Sequence, residues 1–127
     1  MLVVAGGFKR AEPDLAEEAK AKVYWEGLEA LAALPNTFIK LSMLCYTAKE
    51  WTAEPLVVAA VQRVIGLFGP ERCMFASNFP VDCNLGHPWP AARLCRAWLD
   101  AVCAPLDLGP RQVRAQRLPV RLSRVGN

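Results

Sequence analysis

The sequence predicts an α/β chain of about three parallel strands with three or four helices. Three observations carry that expectation. Apolar positions switch repeatedly between a period of two and a period near 3.6. Two helix-stopping pairs, Pro35-Asn36 and Gly69-Pro70, each stand shortly before a β-rich run. The run Cys73-Met74-Phe75-Ala76 is wholly apolar, as expected of a strand that a parallel sheet buries on both sides.

The elements follow in order. Residues 2–4 (Leu-Val-Val) read as the end of a short strand, stopped by Gly6-Gly7. Residues 13–34 read as a helix. Pro13 suits a first turn, and Asp14, Glu17 and Glu18 sit where the helix dipole favours acids. Ala21, Trp25, Leu28 and Ala32 form its expected buried stripe. Residues 37–43, TFIKLSM, read as a strand with Thr37, Ile39, Leu41 and Met43 on one face. Phe38, Lys40 and Ser42 share the other face, which mixes bulk with polarity. A Lys or Ser there, near the strand end, is placed to point into a site. The next helix spans 55–68 with Pro55 in its first turn and Val57, Val61, Val64, Ile65 and Phe68 as its apolar stripe. Residues 72–77 form the third strand. A helix over about 88–104 follows, with Leu94, Cys95, Trp98, Leu99 and Val102 inward and Arg93, Arg96 and Asp100 outward.

In parallel α/β folds the connections are right-handed and ligands gather at the carboxyl ends of the strands. Those ends are Ala5 to Phe8, Ser42 to Cys45 and Ser77 to Asp82. Asn78 and Asp82 are therefore the first candidate working groups. The competing reading is that Asn78 caps the strand and Asp82 bonds the Phe79-Pro80 turn.

Composition narrows the function classes. At 127 residues with 54% hydrophobic content, the chain is one folded domain or part of one. No apolar run approaches the roughly 20 residues that span a bilayer, and MLVVAGGFKR is not a signal peptide. We expect a cytoplasmic protein without a membrane partner. Cys45, Cys73, Cys83, Cys95 and Cys103 contain no CxxC pair and read as packed thiols. The net charge is +3, and residues 108–127 hold five arginines and no acid. That tail lacks aromatic residues for base stacking, so nucleic acid is not the expected partner. His87 is the one histidine, which rules out a multi-histidine metal centre built from this chain alone. Gly6-Gly7 fits no phosphate-binding pattern, and no nucleophile elbow is present.

Two quoted stretches go further. They are W-x-x-L-x-A-L-A-A-L-P-N-T-F-I-K-L-S-M-L (Trp25 to Leu44) and I-G-L-F-G-P-E-R-C-M-F-A-S-N-F-P-V-D (Ile65 to Asp82). Together with the helix between them, they resemble the carboxyl-terminal part of the amidohydrolase-related (amidohydrolase-2) metal-dependent hydrolases, which include lactonases and decarboxylases. The resemblance covers roughly residues 20–85. It implies a partial TIM-barrel-like (β/α) segment, with 2–4 as the remnant of the sixth strand, 37–43 as the seventh and 72–77 as the eighth. The first five strands would lie outside this chain.

The resemblance also implies a chemistry. The family uses a divalent metal, often zinc, to hydrolyse small lactone, amide or carboxylic substrates. Its eighth-strand Asp aligns with Asn78, which as a neutral amide would orient substrate rather than act as a base. Ser42 and Asp82 are the candidate substrate-binding residues. The sixth-strand end, where the family commonly carries a His, reads Val4-Ala5-Gly6-Gly7-Phe8 here. The expectation is thus a partial amidohydrolase-like domain over 1–107 and a divergent Arg-rich tail over 108–127. Such a chain is not expected to catalyse or bind metal alone. Barrel edges and a once-inner face, with Phe38 and Phe75 on it, would be exposed and drive self-association. The alternative is a non-catalytic α/β interaction module.

Overall fold

A computed structural model describes residues 2–5, 15–42, 44, 50–76, 92–109 and 112–115. Strand and helix alternate: β1 (Leu2–Ala5), α1 (Leu15–Ala32), β2 (Phe38–Leu41), α2 (Pro55–Phe68), β3 (Cys73–Phe75), α3 (Ala92–Cys103) and β4 (Arg114–Ala115). Short 3-10 turns at Trp51–Ala53, Pro70–Arg72 and Ala104–Leu106 join them. The four strands lie in the order β1-β2-β3-β4, every neighbouring pair parallel. The α/β expectation thus holds, with a fourth strand that the apolar alternation did not announce. Among the described residues, no helix is long and apolar enough to cross a membrane.

The described helices occupy one side of this sheet. α2 packs against both α1 and α3, so the three form a single layer. Uniform right-handed crossovers between sequentially placed strands produce such a layer. Its burial is legible in β2: Ile39 and Leu41 are buried, Lys40 is half-buried, and Phe38 is 43% exposed. In β3, Cys73 and Phe75 are buried while Met74 is half-buried. β3 is therefore fully covered on the face of Cys73 and Phe75 and partly covered on the face of Met74, where its apolar run had implied full burial on both. The register explains which face: Ile39 pairs with Cys73 and Leu41 with Phe75. Phe75, 6% exposed, therefore lies on the helix side in the core, not on the open face beside Phe38. The pairing of Lys40 with Met74 keeps the half-buried positions together on the opposite side.

The helices follow their patterns unequally. α2 is the central one, and Val57, Val61, Val64, Ile65 and Phe68 are all buried, as its stripe predicted. Pro55 occupies its first turn, where a missing N–H costs nothing. α1 is more peripheral. Leu28 is buried, Trp25 and Ala32 are half-buried, and Ala21 is exposed, because α1 has a helix neighbour on one flank among the described elements. On α3, Cys95, Leu99 and Val102 are buried and Trp98 is half-buried; the side chains of Arg93 and Leu94 lie outside the described set. Arg96 and Asp100 do not face open solvent as expected. They pair at 2.6 Å, both partly buried, while a second Arg96 nitrogen donates to the Val113 carbonyl at 2.9 Å. That bond ties the approach to β4 onto α3.

The amino end of the sheet is held by Arg72. Its Nε donates to the Phe68 carbonyl at 2.9 Å, Nη1 to Leu34 at 2.8 Å and Nη2 to Ala32 at 2.9 Å. A longer contact from Nη1 reaches the Thr37 carbonyl at 3.4 Å. Ala32 and Phe68 are the last residues of α1 and α2, whose terminal carbonyls have no intrahelical partner. The cation also meets the negative ends of two helix dipoles. Gly69 lets α2 stop there: its φ of 78° lies in the left-handed region that suits glycine, and its N–H bonds the Ile65 carbonyl at 2.8 Å.

Replacing Arg72 removes a charged donor from several carbonyls at once. We expect Arg72→Ala to lose about 3 kcal/mol in urea unfolding. Arg72→Lys should recover only part of that, since an ammonium cannot reproduce the planar fork. A loss below about 1 kcal/mol for Arg72→Ala would refute this role.

Candidate functional site

The carboxyl rim of the sheet is built where β2 and β3 end. Leu41 and Phe75 are the last register partners of the β2–β3 pair, and the Ala76 N–H donates to the Leu41 carbonyl at 2.9 Å. This bond extends the ladder one step beyond β3. It sets Ser42, one residue past β2, alongside the exit of β3. Ser42 is 2% exposed, a nearly fully buried hydroxyl at the rim. It continues the alternation of Phe38 and Lys40, so burial on that face rises from the amino to the carboxyl end.

The turn at Trp51–Ala53, before α2, is fixed by aromatic packing. Trp51 and Trp98 meet edge to face at 4.8 Å between ring centroids, and each lies close to Phe75, at 6.3 and 6.2 Å. Such pairs add about 0.5–1.5 kcal/mol beyond area burial. The Trp98 indole N–H donates to the Thr52 carbonyl at 3.0 Å. The turn at Trp51–Ala53 is thereby strapped to α3, and with it the start of α2. Sequence reading had placed Trp98 inward but gave Trp51 no role. Nor had it singled out Arg72, although the F-G-x-x-R spacing contained it.

Of the sequence-predicted site residues, Ser42 is placed at the rim. Asn78 and Asp82 lie outside the described residues, as do His87, Gly6 and Gly7. Ala76, two residues before Asn78, is buried at the end of β3.

The divalent metal that the family resemblance implies needs several donor side chains gathered at one point. Among the described residues, no group of three or more His, Cys, Asp or Glu side chains could hold an ion. At the rim the described donors are a serine hydroxyl and backbone groups, which are weak ligands for zinc. Cys73, Cys95 and Cys103 are free and buried. Burial pushes the Cys73 thiol up to about 12, the Arg72 charge opposing and Cys103 adding slightly. Burial also raises Cys95, and it raises Cys103 with help from Asp100. Thiols held protonated in this way are poor nucleophiles near neutral pH, and the three do not gather into a metal-binding group. These residues do not fit the metal. Cys45 and Cys83 lie outside the described residues.

The protonated thiols carry a pH signature. The folded chain binds the Cys73 proton more tightly than the unfolded chain, whose thiol titrates near 9.0. The Cys73 contribution is complete below that pH and is lost as pH rises toward about 12. Tyr24, raised from 10.0 to about 12 by burial, acts in the same direction. Chemical denaturation at stepped pH should show stability falling above pH 9, and less steeply in Cys73→Ala. An unchanged slope in that variant would contradict the assignment.

Three comparisons bear on this geometry. A family model described as Amidohydrolase (Amidohydro_2) matches residues 6–114. The chain is 42% identical over 57 residues to the uncharacterized protein y4mH of Sinorhizobium fredii (strain NBRC 101917 / NGR234). That match spans 45% of this chain and 19% of y4mH. No solved structure gives a significant match.

Proposed function

The chain belongs to the amidohydrolase family, and from that premise we propose that it is the carboxyl-terminal segment of a (β/α) barrel hydrolase. The parent reaction would be metal-assisted hydrolysis of a small lactone, amide or carboxylic substrate. The observation that carries the segment reading is the layering. Four parallel strands stand in sequential order with a single layer of helices on one side. A doubly wound sheet reverses its strand order and places helices on both faces; a barrel does neither. The side of the sheet opposite the described helices then corresponds to the barrel interior, and the rim at Ser42 to the ligand end. Ser42 and Asp82 would contact substrate, and Asn78 would orient it. The metal donors the family uses would come from strands beyond those described here. In this reading the barrel part runs on through β4 at Arg114–Ala115, past the boundary at residue 107 that the sequence suggested, and the Arg-rich tail begins beyond it.

A second reading keeps the same surface and drops the chemistry. Phe38, 43% exposed on the central strand β2, favours a non-catalytic α/β module that associates through its open face. The two differ in how association proceeds. A barrel segment has unsatisfied edges on both sides and associates without closure, whereas an interaction module forms a closed assembly of fixed stoichiometry.

Sedimentation velocity across a concentration series separates them. We expect open-ended association, reduced by Phe38→Lys, and no zinc-supported opening of D-glucono-1,5-lactone by the isolated chain. Chelator-sensitive lactone hydrolysis by this chain would overturn its incompleteness. A clean monomer with one cooperative melt would overturn the segment reading.

A further inference from the structure

We propose that the outer face of α1 seats a second copy of this chain, the two α1 helices packing antiparallel about a two-fold axis. The contact is separate from the sheet edges and from the rim, so it holds whether or not the barrel-segment reading does.

Composition comes first. The outer side of a surface helix is ordinarily polar. On α1 the exposed residues Ala19, Val23, Gly27 and Ala30 are spaced by four, four and three, which stacks them on one face away from the buried Leu28. Val23 is 69% exposed, and Leu34, just past the helix end, is 48% exposed. α2 meets α1 elsewhere on its circumference, where Arg63 touches Glu29 and the Trp25 ring.

Glycine is the second observation. A glycine in mid-helix weakens the helix. A Cβ added at Gly27 would meet nothing within 4 Å, so the packing of the single chain does not require glycine there. The gap it leaves between Val23 and Ala30 lets another helix come close and place a side chain in it. Gly66 of α2 is equally open, but the exposed Arg63 puts charge on that surface, which suits an apolar partner less.

Charge identifies the occupant. Lys22, Glu26 and Glu29 line one flank of the stripe, basic toward the amino end and acidic toward the carboxyl end. An antiparallel copy reverses that order and brings opposite signs together. With the two-fold axis level with Trp25, Val23 fills the gap at the partner's Gly27, and Gly27 receives the partner's Val23. In that register Lys22 stands about 1.5 Å along the helix axis from the partner's Glu29 and about 3 Å from the partner's Glu26. Glu26 and the partner's Glu26 approach near the axis, with Lys22 on one side of them and the partner's Lys22 on the other. The existing pairs, Lys22 with Glu26 at 3.8 Å and Arg63 with Glu29 at 3.3 Å, are exposed, so both carboxylates have room to accept a further lysine.

Sedimentation equilibrium of the whole chain reads the dimer. We expect a reversible dimer whose dissociation constant rises at least about ten-fold in Gly27→Leu, with a melting temperature no lower than that of the native chain. Lys22→Glu and Glu26→Lys should each weaken the dimer about five-fold. An equimolar mixture of those two variants should return to within about two-fold of native affinity, because each chain then meets opposite charge on the other. A monomeric native chain overturns the proposal, whatever covers the stripe in its place. So does a dimer indifferent to Gly27→Leu, or a mixture no tighter than its components. If a charge variant fails to fold, Gly27→Leu decides alone. Growth through the sheet edges is indifferent to residue 27. A Gly27-dependent dimer without such growth discards only the segment reading; open-ended growth with no step sensitive to Gly27→Leu discards only the α1 contact.

Discussion

The guanidinium of Arg72 closes the end of the molecule where two helix–strand joints meet. It donates to the last carbonyls of α1 and α2 and to the Leu34 carbonyl in the loop that leads into β2. Its own backbone forms the turn from which β3 starts. One side chain thus couples the exit of α1, the entry of β2, the exit of α2 and the entry of β3. Each of those carbonyls would otherwise need water or a neighbour. The register of Ile39 against Cys73 begins directly beyond this junction, so the phase of both central strands depends on it. Their phase in turn decides that Phe75 enters the core while Met74 and Lys40 do not.

The two ends of the sheet are accordingly unlike. The amino end is tied by charge-assisted bonds to backbone. The carboxyl end is tied by the aromatic group of Trp51, Phe75 and Trp98 and by one ladder bond from Ala76 to Leu41. In parallel α/β architectures the amino end serves stability and the carboxyl end carries ligand chemistry. Here rigid packing reaches the carboxyl end from the helix side, leaving the opposite side for Phe38, Lys40 and Ser42. Ser42 is buried at the rim while Phe38 is largely open, so that face grades from exposed to enclosed along β2.

Much of the fold was legible in the sequence because local signals agreed. Pro55 and Gly69 bracket α2, its five-residue apolar stripe is fully buried, and Ile39 and Leu41 alternate as a half-covered strand must. The misreadings arose where burial depends on a neighbour rather than on period. Cys73-Met74-Phe75 is apolar throughout, and nothing in it distinguishes one covered face from two. Ala21 falls on the right stripe of α1 but extends beyond the layer that would cover it. Arg96 and Asp100 carry charge, which reads as exposure, yet their pairing lets both sit partly buried against the Val113 segment. Ser42 was placed at the rim from its position after β2. Arg72 was visible in a motif without a role, because a bond to carbonyls of another helix leaves no periodic trace.

Each strand of this sheet pairs with the strand that precedes it in the chain: β2 with β1, β3 with β2, β4 with β3. A partner for every new strand is therefore already present when that strand emerges from the ribosome. Each described helix crosses the seam between two successive strands. Among the described strands, each pairing spans one strand–helix unit. In the described sheet, the order in space repeats the order in which the chain is written, which favours assembly during synthesis.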